Sequence, residues 1–490
     1  MIGSLFTQVV VALINPLILI ISDHFLVISI KYIDDMITDE MLITYGKKPS
    51  LRRLFLNSSD YLVIRSRETN YLFLSKTLQY FKITDPSIEE YLRLCKAGGK
   101  GSTFLTEDEI FEIGSFLTTD DDVEVNATSE VGHNFLILNI TGGCNLACKY
   151  CFAQIMKNHN TMTLDVAKRA IFNMINQESD NDEYFVYFFG GEPLLKKELV
   201  KQITEYAYEE ITRKKKKKIK FLVNTNATLI DNETIQLFKK YDFTVTVSLD
   251  GPMTYHDRSR VYINGKGSFE RVITSVEMLK KNNIQTNLRA TFSPDTQDLV
   301  SIIKFFESLK LPYAYSFTIN SEYKMNLKET YFEEEQFRMV ENELHKVMDF
   351  FYDKIRLGET IYYTGLNQKL SMLRYKRKRS YSCEAGRRSM TVNEYGNYYA
   401  CQNMIPYKQT KLGDVDKGIS EEKNRMFRSK DLTLLNECHN CTIRNLCAGG
   451  CAVERSNPNK KMKRQMCRLF DIEWKSLLYL YALIIETKKN

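Results

Sequence analysis

Cys144-Asn145-Leu146-Ala147-Cys148-Lys149-Tyr150-Cys151-Phe152 places three thiols on one short loop, in the spacing C-x3-C-x2-C. The loop directly follows an apolar run, Phe135–Ile140, that reads as a buried strand. Three thiolates so close in sequence can hold three irons of a four-iron cluster and leave the fourth iron open. An open iron lets a cluster bind a small molecule instead of only passing electrons. A zinc site needs a fourth protein ligand nearby, and this loop offers none.

Downstream, strand and helix patterns alternate. Thr163–Gln177 is amphipathic, Tyr184–Phe189 is a strand, Lys196–Thr212 a helix and Ile219–Asn224 a third strand. Asp231–Lys240, Phe243–Leu249, Phe269–Lys281, Thr286–Phe292, Leu299–Leu309 and Tyr313–Ile319 continue the series. Repeated βα units predict a parallel sheet, open or curled into a barrel, whose carboxyl edge carries the site. Two further motifs fall on that edge. Phe189-Gly190-Gly191-Glu192-Pro193 ends the second strand, and Val247-Ser248-Leu249-Asp250-Gly251-Pro252 ends the fourth, followed by His256-Asp257 and Arg260. Paired glycines let backbone approach a ligand, and a carboxylate can accept from an ammonium.

The cysteine triplet, including the aromatic residue before its last cysteine, resembles the signature of the radical S-adenosylmethionine (SAM) superfamily. Gly190, Gly191 and Glu192 look like that family's GGEP motif, and the segment 247–252 resembles its SLDGP segment. The resemblance implies a partial (β/α) barrel and a 4Fe–4S cluster on Cys144, Cys148 and Cys151. It also implies SAM bound at the open iron and cleaved to a 5′-deoxyadenosyl radical. Glu192 would meet the methionyl ammonium, and Ser248 and Arg260 are the candidates for the ribose and carboxylate.

Seven more cysteines lie beyond residue 380: Cys383, Cys401, Cys438, Cys441, Cys447, Cys451 and Cys467. Cys438-x2-Cys441 alone would suit a zinc ribbon. The whole pattern resembles, cysteine by cysteine, the SPASM extension of radical SAM peptide-modifying enzymes. By that resemblance Cys438, Cys441, Cys447 and Cys467 hold an outer auxiliary cluster, and Cys383, Cys401 and Cys451 an inner one. The expected cofactors are therefore three 4Fe–4S clusters and SAM. Some relatives carry an eighth cysteine just before the first, whereas 376–382 has none, so Glu384 or an open iron completes the inner site. An open iron could take a substrate thiolate and so point to thioether formation. Sulfatase maturases resemble one another in an Asp immediately after the second SPASM cysteine, but here Gln402 follows Cys401. The resemblance thus favours a maturase of ribosomally made peptides. A sulfatase-maturase-like side-chain oxidase is the alternative, and an iron–sulfur sensor or electron carrier the alternative from another class.

The rest of the chain sets the context. Its 490 residues predict several domains, and 43% hydrophobic and 26% charged residues are ordinary for a globular protein. Clustered cysteines read as metal sites in a reducing cytoplasm, not as a secreted disulfide framework. Cys95 stands outside both groups and reads as a small buried hydrophobe. The net charge of +7 suits an acidic peptide but is too dilute for nucleic acid. The basic run Arg213–Lys218 has no interleaved aromatics and reads as a solvated loop. Expected partners are a precursor peptide and an electron donor such as flavodoxin or ferredoxin, with no nucleic acid.

Five segments are expected. Residues 1–49 are apolar, and Leu5–Ile21 is long enough to weigh a membrane anchor against a buried strand–helix pair, or a later start at Met36. No Lys or Arg precedes Lys31, and Asn15-Pro16 would sit mid-helix, which both count against the membrane. Residues 50–118 show strands (Tyr61–Ser66, Asn70–Ser75) and then helices (Ile88–Ala97, Glu107–Phe116), a small α+β domain that resembles a leader-peptide-binding unit. Asp120–Asp122 begins a linker. The barrel spans 130–330, a helical connector 331–375, and the C-terminal cysteine-rich iron–sulfur domain 376–490, ending in a helix over Ile472–Ile485.

Overall fold

The computed structural model describes residues 17–21, 26–30, 40–44, 53–57, 61–67, 69–75 and 78–83. Beyond these it describes 132–151, 160–177, 181–294, 296–318, 331–379, 381–428, 438–453 and 460–489. The expected helices over 88–97 and 107–116, the linker at 120–122 and Cys95 lie outside the described residues.

The first strands are β1 (Leu17–Ile21), β2 (Leu26–Ile30), β3 (Glu40–Thr44) and β4 (Arg53–Asn57), which form one sheet in the order β2-β1-β3-β4. Leu17–Ile21, the end of the apolar run from Leu5, pairs antiparallel with Leu26–Ile30; residues 5–16 of that run and Met36 lie outside the described residues. Among the described residues no helix is long and apolar enough to cross a membrane. A second sheet contains β5 (Tyr61–Arg65), β6 (Asn70–Leu74) and β7 (Gln79–Ile83), an antiparallel meander.

The main sheet carries the site. Its parallel half is β8 (Phe135–Asn139), β9 (Glu183–Phe189), β10 (Lys218–Thr225), β11 (Thr244–Ser248), β12 (Gln285–Phe292) and β13 (Tyr313–Phe317). These neighbour one another in chain order, all parallel. Between them run α1 (Leu164–Ile175), α2 (Lys197–Tyr208), α3 (Asn232–Lys240), α4 (Met253–Ser259), α5 (Phe269–Lys281) and α6 (Leu299–Leu309). Thr163 accepts from the Val166 amide to start α1, and Asp231 accepts from the Thr234 amide to start α3. These caps satisfy helix donors that have no partner within the helix.

Period-two alternation gives each strand two fates. On β9, Tyr184, Val186 and Phe188 are buried, while Phe185, Tyr187 and Phe189 are half-buried. On the buried face Phe188, Phe221 and Phe243 stack, with ring centroids 5.4–6.5 Å apart. Offset-stacked rings of this kind add to their burial energy. The opposite face, with Tyr187, Asn224, Thr246, Ser248, Arg289 and Ser316, lines a concave space.

The basic run is largely exposed, as expected, but is not one loop. Glu209–Lys214 is a π-helical continuation of α2, closed by the Lys215 amide to the Glu210 carbonyl, and Lys218 already belongs to β10. The i,i+4 pairs Glu210–Lys214 and Glu209–Arg213 hold charge along that turn.

α7 (Glu334–Arg356) and α8 (Thr364–Arg374) form the connector. The sheet does not stop at the barrel. β14 (Ser389–Val392) pairs parallel with β8 on the side away from β9, and β15 (Asn397–Tyr399), β16 (Gly413–Asp414) and β17 (Gly418–Ile419) add antiparallel. Short helices α9 (Glu421–Arg428) and α10 (Arg444–Cys447) precede α11 (Lys460–Lys489), which starts well before the expected Ile472. α11 packs along α7, where Tyr479 donates to Asp349, and supports β5–β7, where the Tyr80 hydroxyl reaches the Leu478 carbonyl.

Candidate active site

The cysteine loop is clamped to the ends of β8 and β9. The Gly191 amide donates to the Thr141 carbonyl at 2.7 Å and the Glu192 amide to the Gly143 carbonyl at 2.8 Å. Side chains have no room here. A Cβ on Gly191 would lie 2.2 Å from the Gly143 carbonyl oxygen, and one on Gly190, whose φ is +143°, 2.5 Å from that of Thr141. The paired glycines thus serve the approach of one backbone to another. On its far side the loop is held by Ala147 and Lys149 amides donating to the Val261 and Ser259 carbonyls.

Cys144, Cys148 and Cys151 all line one cavity of about 680 Å³, within the usual range of small-molecule sites. Burial pushes the Cys144 thiol up to about 12 and the Cys148 thiol up to about 11. Such thiols become ligands when a cation replaces the lost hydration. Asn226 donates to the Cys144 sulfur at 3.7 Å and to the Asn145 side chain at 2.9 Å.

Glu192 is fully buried and does not line the cavity. It accepts from the Leu194 amide (3.0 Å), the Thr225 hydroxyl (2.8 Å) and the Asn226 amide (2.7 Å). Burial raises its carboxyl to about 7, against the pull of those three donors. Oε2 accepts only from the Asn226 amide among these bonds, so it retains capacity for one more donor.

Ser248 and Arg260 line the same cavity. Arg260 donates from Nε to Asp250 at 2.8 Å and lies over the Tyr150 ring, 5.4 Å from its centroid. Asp250 also takes the Tyr150 hydroxyl and the Thr291 amide. It thereby joins the cysteine loop, the end of β11 and the end of β12. Behind it His256 receives the Asp250 amide on Nδ1, while its Nε2 faces the Ser268 hydroxyl, which donates to the Arg260 carbonyl. That arrangement assigns a neutral His256 with its proton on Nε2. Burial, reinforced by Arg260, lowers its pKa to about 4.

The C-terminal cysteines gather in two places. Burial raises the Cys447 thiol to about 12, and it lies within electrostatic reach of Cys441, Cys467 and Cys438. Burial raises Cys401 likewise, within reach of Cys451 and Cys383. Among the described residues no three His, Cys, Asp or Glu side chains converge tightly enough for a single metal ion. Gln402, Asn403 and Tyr407, together with Val453 and Met466, complete the cavity wall opposite the barrel. Sequence reading missed Asp250 and Asn226 as organisers and Arg289 as a lining residue. Asp250 stood inside a quoted motif, and the alternation of β12 puts Arg289 on the open face.

Parallel strands closing over a loop of three cysteines define a cofactor-dependent α/β enzyme domain. Residues 138–306 match the family model of the radical SAM superfamily, so the chain contains a radical SAM domain. It is 25% identical over 374 residues to the radical SAM cyclopropyl synthase TigE of Paramaledivibacter caminithermalis, covering 72% of this chain and 74% of that protein. It is 24% identical to a cysteine-type anaerobic sulfatase-maturating enzyme of Clostridium novyi, covering 69% and 93%. The structure of native anSMEcpe with bound AdoMet and Kp18Cys peptide superposes with a TM-score of 0.60 at 22% identity, over 71% of this chain and 98% of that one. That likeness shows the shared radical SAM fold. The chain is thus a radical SAM enzyme related to maturases, and its family implies a 4Fe–4S cluster and SAM.

Proposed function

We propose that the protein is a radical SAM peptide maturase with three 4Fe–4S clusters, which oxidatively modifies a ribosomally made precursor. The observation that carries this reading is the cavity, which joins Cys144, Cys148 and Cys151 to residues next to Cys401 and Cys467. A substrate there would sit between a radical source and an electron exit.

Cys144, Cys148 and Cys151 hold the catalytic cluster, and the residues fit it: three thiols on one wall, beside glycines that admit no side chain. When bound, the cluster and SAM supply a 5′-deoxyadenosyl radical that takes a hydrogen from the peptide. Ser248 and Arg260, which line the cavity, serve the ribose and carboxylate, and Glu192, buried outside that lining, serves the ammonium once its Oε2 turns toward the cavity. Cys438, Cys441, Cys447 and Cys467 hold the outer cluster, and Cys383, Cys401 and Cys451 the inner one. Cys383 and Glu384 share a second cleft with Lys378 and Arg379, which keeps Glu384 as the candidate fourth ligand. The edges of the β5–β7 sheet are candidates for leader-peptide pairing. A flavodoxin or ferredoxin would return electrons.

The reading favours a peptide maturase over a sulfatase-type oxidase because an amide, Gln402, lines the cavity where that class resembles itself in an Asp. Co-expression with the short peptide encoded nearest the gene, followed by mass spectrometry, tests it. A product two hydrogens lighter per modification, absent with Cys144→Ala, is expected. Modification of a sulfatase-derived peptide and of no precursor would move the reading to the sulfatase-maturase class.

A further inference from the structure

The cavity beside the cysteine loop contains an electrostatic imbalance. Its described lining includes two cations, Arg260 and Arg289, and no Asp or Glu. Arg260 is neutralised by Asp250 at 2.8 Å. Arg289, on the open face of β12, makes no ion pair or side-chain hydrogen bond with any described residue. The acid whose field reaches it, Glu473, is already bound by Lys369 and by the Tyr363 hydroxyl. Surrounding protein lowers the pKa of the guanidinium from its ordinary value by desolvation, although its side chain opens to the cavity. A guanidinium that opens into a concave space, with no counter-ion among the described residues, is available to an acidic ligand.

It lies deeper than the tie between its strand and the cysteine loop. Thr291, two residues further along β12, is where Asp250 ties the strand to Tyr150 of the cysteine loop. At ~3.3 Å per residue, the backbone of Arg289 lies roughly 7 Å deeper in the barrel. Around it stand Tyr187, Asn287 and Ser248, the last its register partner on β11. Toward the same end the cavity reaches Tyr313 and Thr364, away from the cysteines.

We infer that Arg289 is a substrate-binding residue that pairs with the carboxylate of an acidic side chain on the peptide, held near the residue to be modified. This deepens the peptide-maturase reading and rests on it. Guanidinium and carboxylate match as planar, two-point partners.

The test uses N-acetylglutamate methylamide, its glutamine counterpart and SAM as separate probes, titrated calorimetrically into the reconstituted enzyme. The wild type is expected to bind the glutamate probe at least tenfold more tightly than the glutamine probe. Arg289→Gln should erase that preference and Arg289→Lys retain part of it. Equal binding of the two probes by the wild type overturns the proposal, and this comparison needs no variant to fold. A tenfold loss of SAM affinity in Arg289→Gln, with no preference between the probes in the wild type, would assign the cation to the cofactor and also overturn it. Because no precursor is used, failure of the maturase reading would show only in the co-expression experiment.

Discussion

Replacing Gly191 with Ala tests the contact that seats the cysteine loop. The new Cβ would lie 2.2 Å from the Gly143 carbonyl oxygen, 2.7 Å from its carbon and 2.8 Å from the Gly142 oxygen, all backbone. Ordinary contact begins near 3.4 Å, so one strand must retreat by about 1.2 Å, and no side chain can yield instead. That retreat lengthens the 2.8 Å bond from the Glu192 amide to the Gly143 carbonyl beyond hydrogen-bonding range. Overpacking costs about 1–3 kcal/mol and the lost bond about 1 kcal/mol more, for a total of about 2–4 kcal/mol. The strain falls on the residue before Cys144, so iron loading should suffer more than folding. Gly265→Ala is the control: its φ of +83° strains any side chain, but nothing lies within 4 Å of the new Cβ. The assay is iron per chain and SAM affinity after anaerobic reconstitution, beside thermal unfolding. Gly191→Ala should lose about four irons and SAM binding, and Gly265→Ala neither. Full iron and unchanged affinity in Gly191→Ala would refute the packing argument.

Three further outcomes are expected. Asp250→Asn leaves the Arg260 guanidinium buried without its counter-charge and should cost roughly 3–5 kcal/mol; denaturant unfolding reads this, and a loss under 1 kcal/mol would contradict it. His256 titrates near 4 in the fold and near 6.5 unfolded, so its contribution is complete above 6.5 and is lost as pH falls toward 4. By pH 5.5 the loss should reach about 1.4 kcal/mol in the wild type and vanish in His256→Gln, as compared by unfolding midpoints at pH 7.5 and 5.5. Deleting residues 50–118 should abolish processing of a full precursor while uncoupled 5′-deoxyadenosine release persists, and tight precursor binding by the truncated chain would argue against a leader site there.

How much was legible depended on the range of the interactions. From Phe135 to Leu309 the expected strands and helices fall within a few residues of the observed ones, because buried alternation and amphipathic stripes are local signals. β14–β17 were missed because strands of two to four residues carry too little pattern, and the partner of β14, β8, lies some 250 residues away. α11 was begun too late since its first turns are rich in Lys and Arg, which are good helix formers that leave no apolar stripe. In the site, cysteine spacing is a one-dimensional signal and could be read. The Tyr150–Asp250–Arg260 junction could not, for it exists only once three strand ends meet. The three protein donors that hold Glu192 were likewise not legible, because they come from its own turn and from the end of β10.

The central claim is that Cys144, Cys148 and Cys151 support radical cleavage of SAM. Anaerobically reconstituted, reduced protein should release 5′-deoxyadenosine from SAM and carry about twelve irons per chain, while the triple Ala variant should retain about eight and release none. Stoichiometric zinc with little iron, or 5′-deoxyadenosine release that survives loss of the three cysteines, would contradict the account.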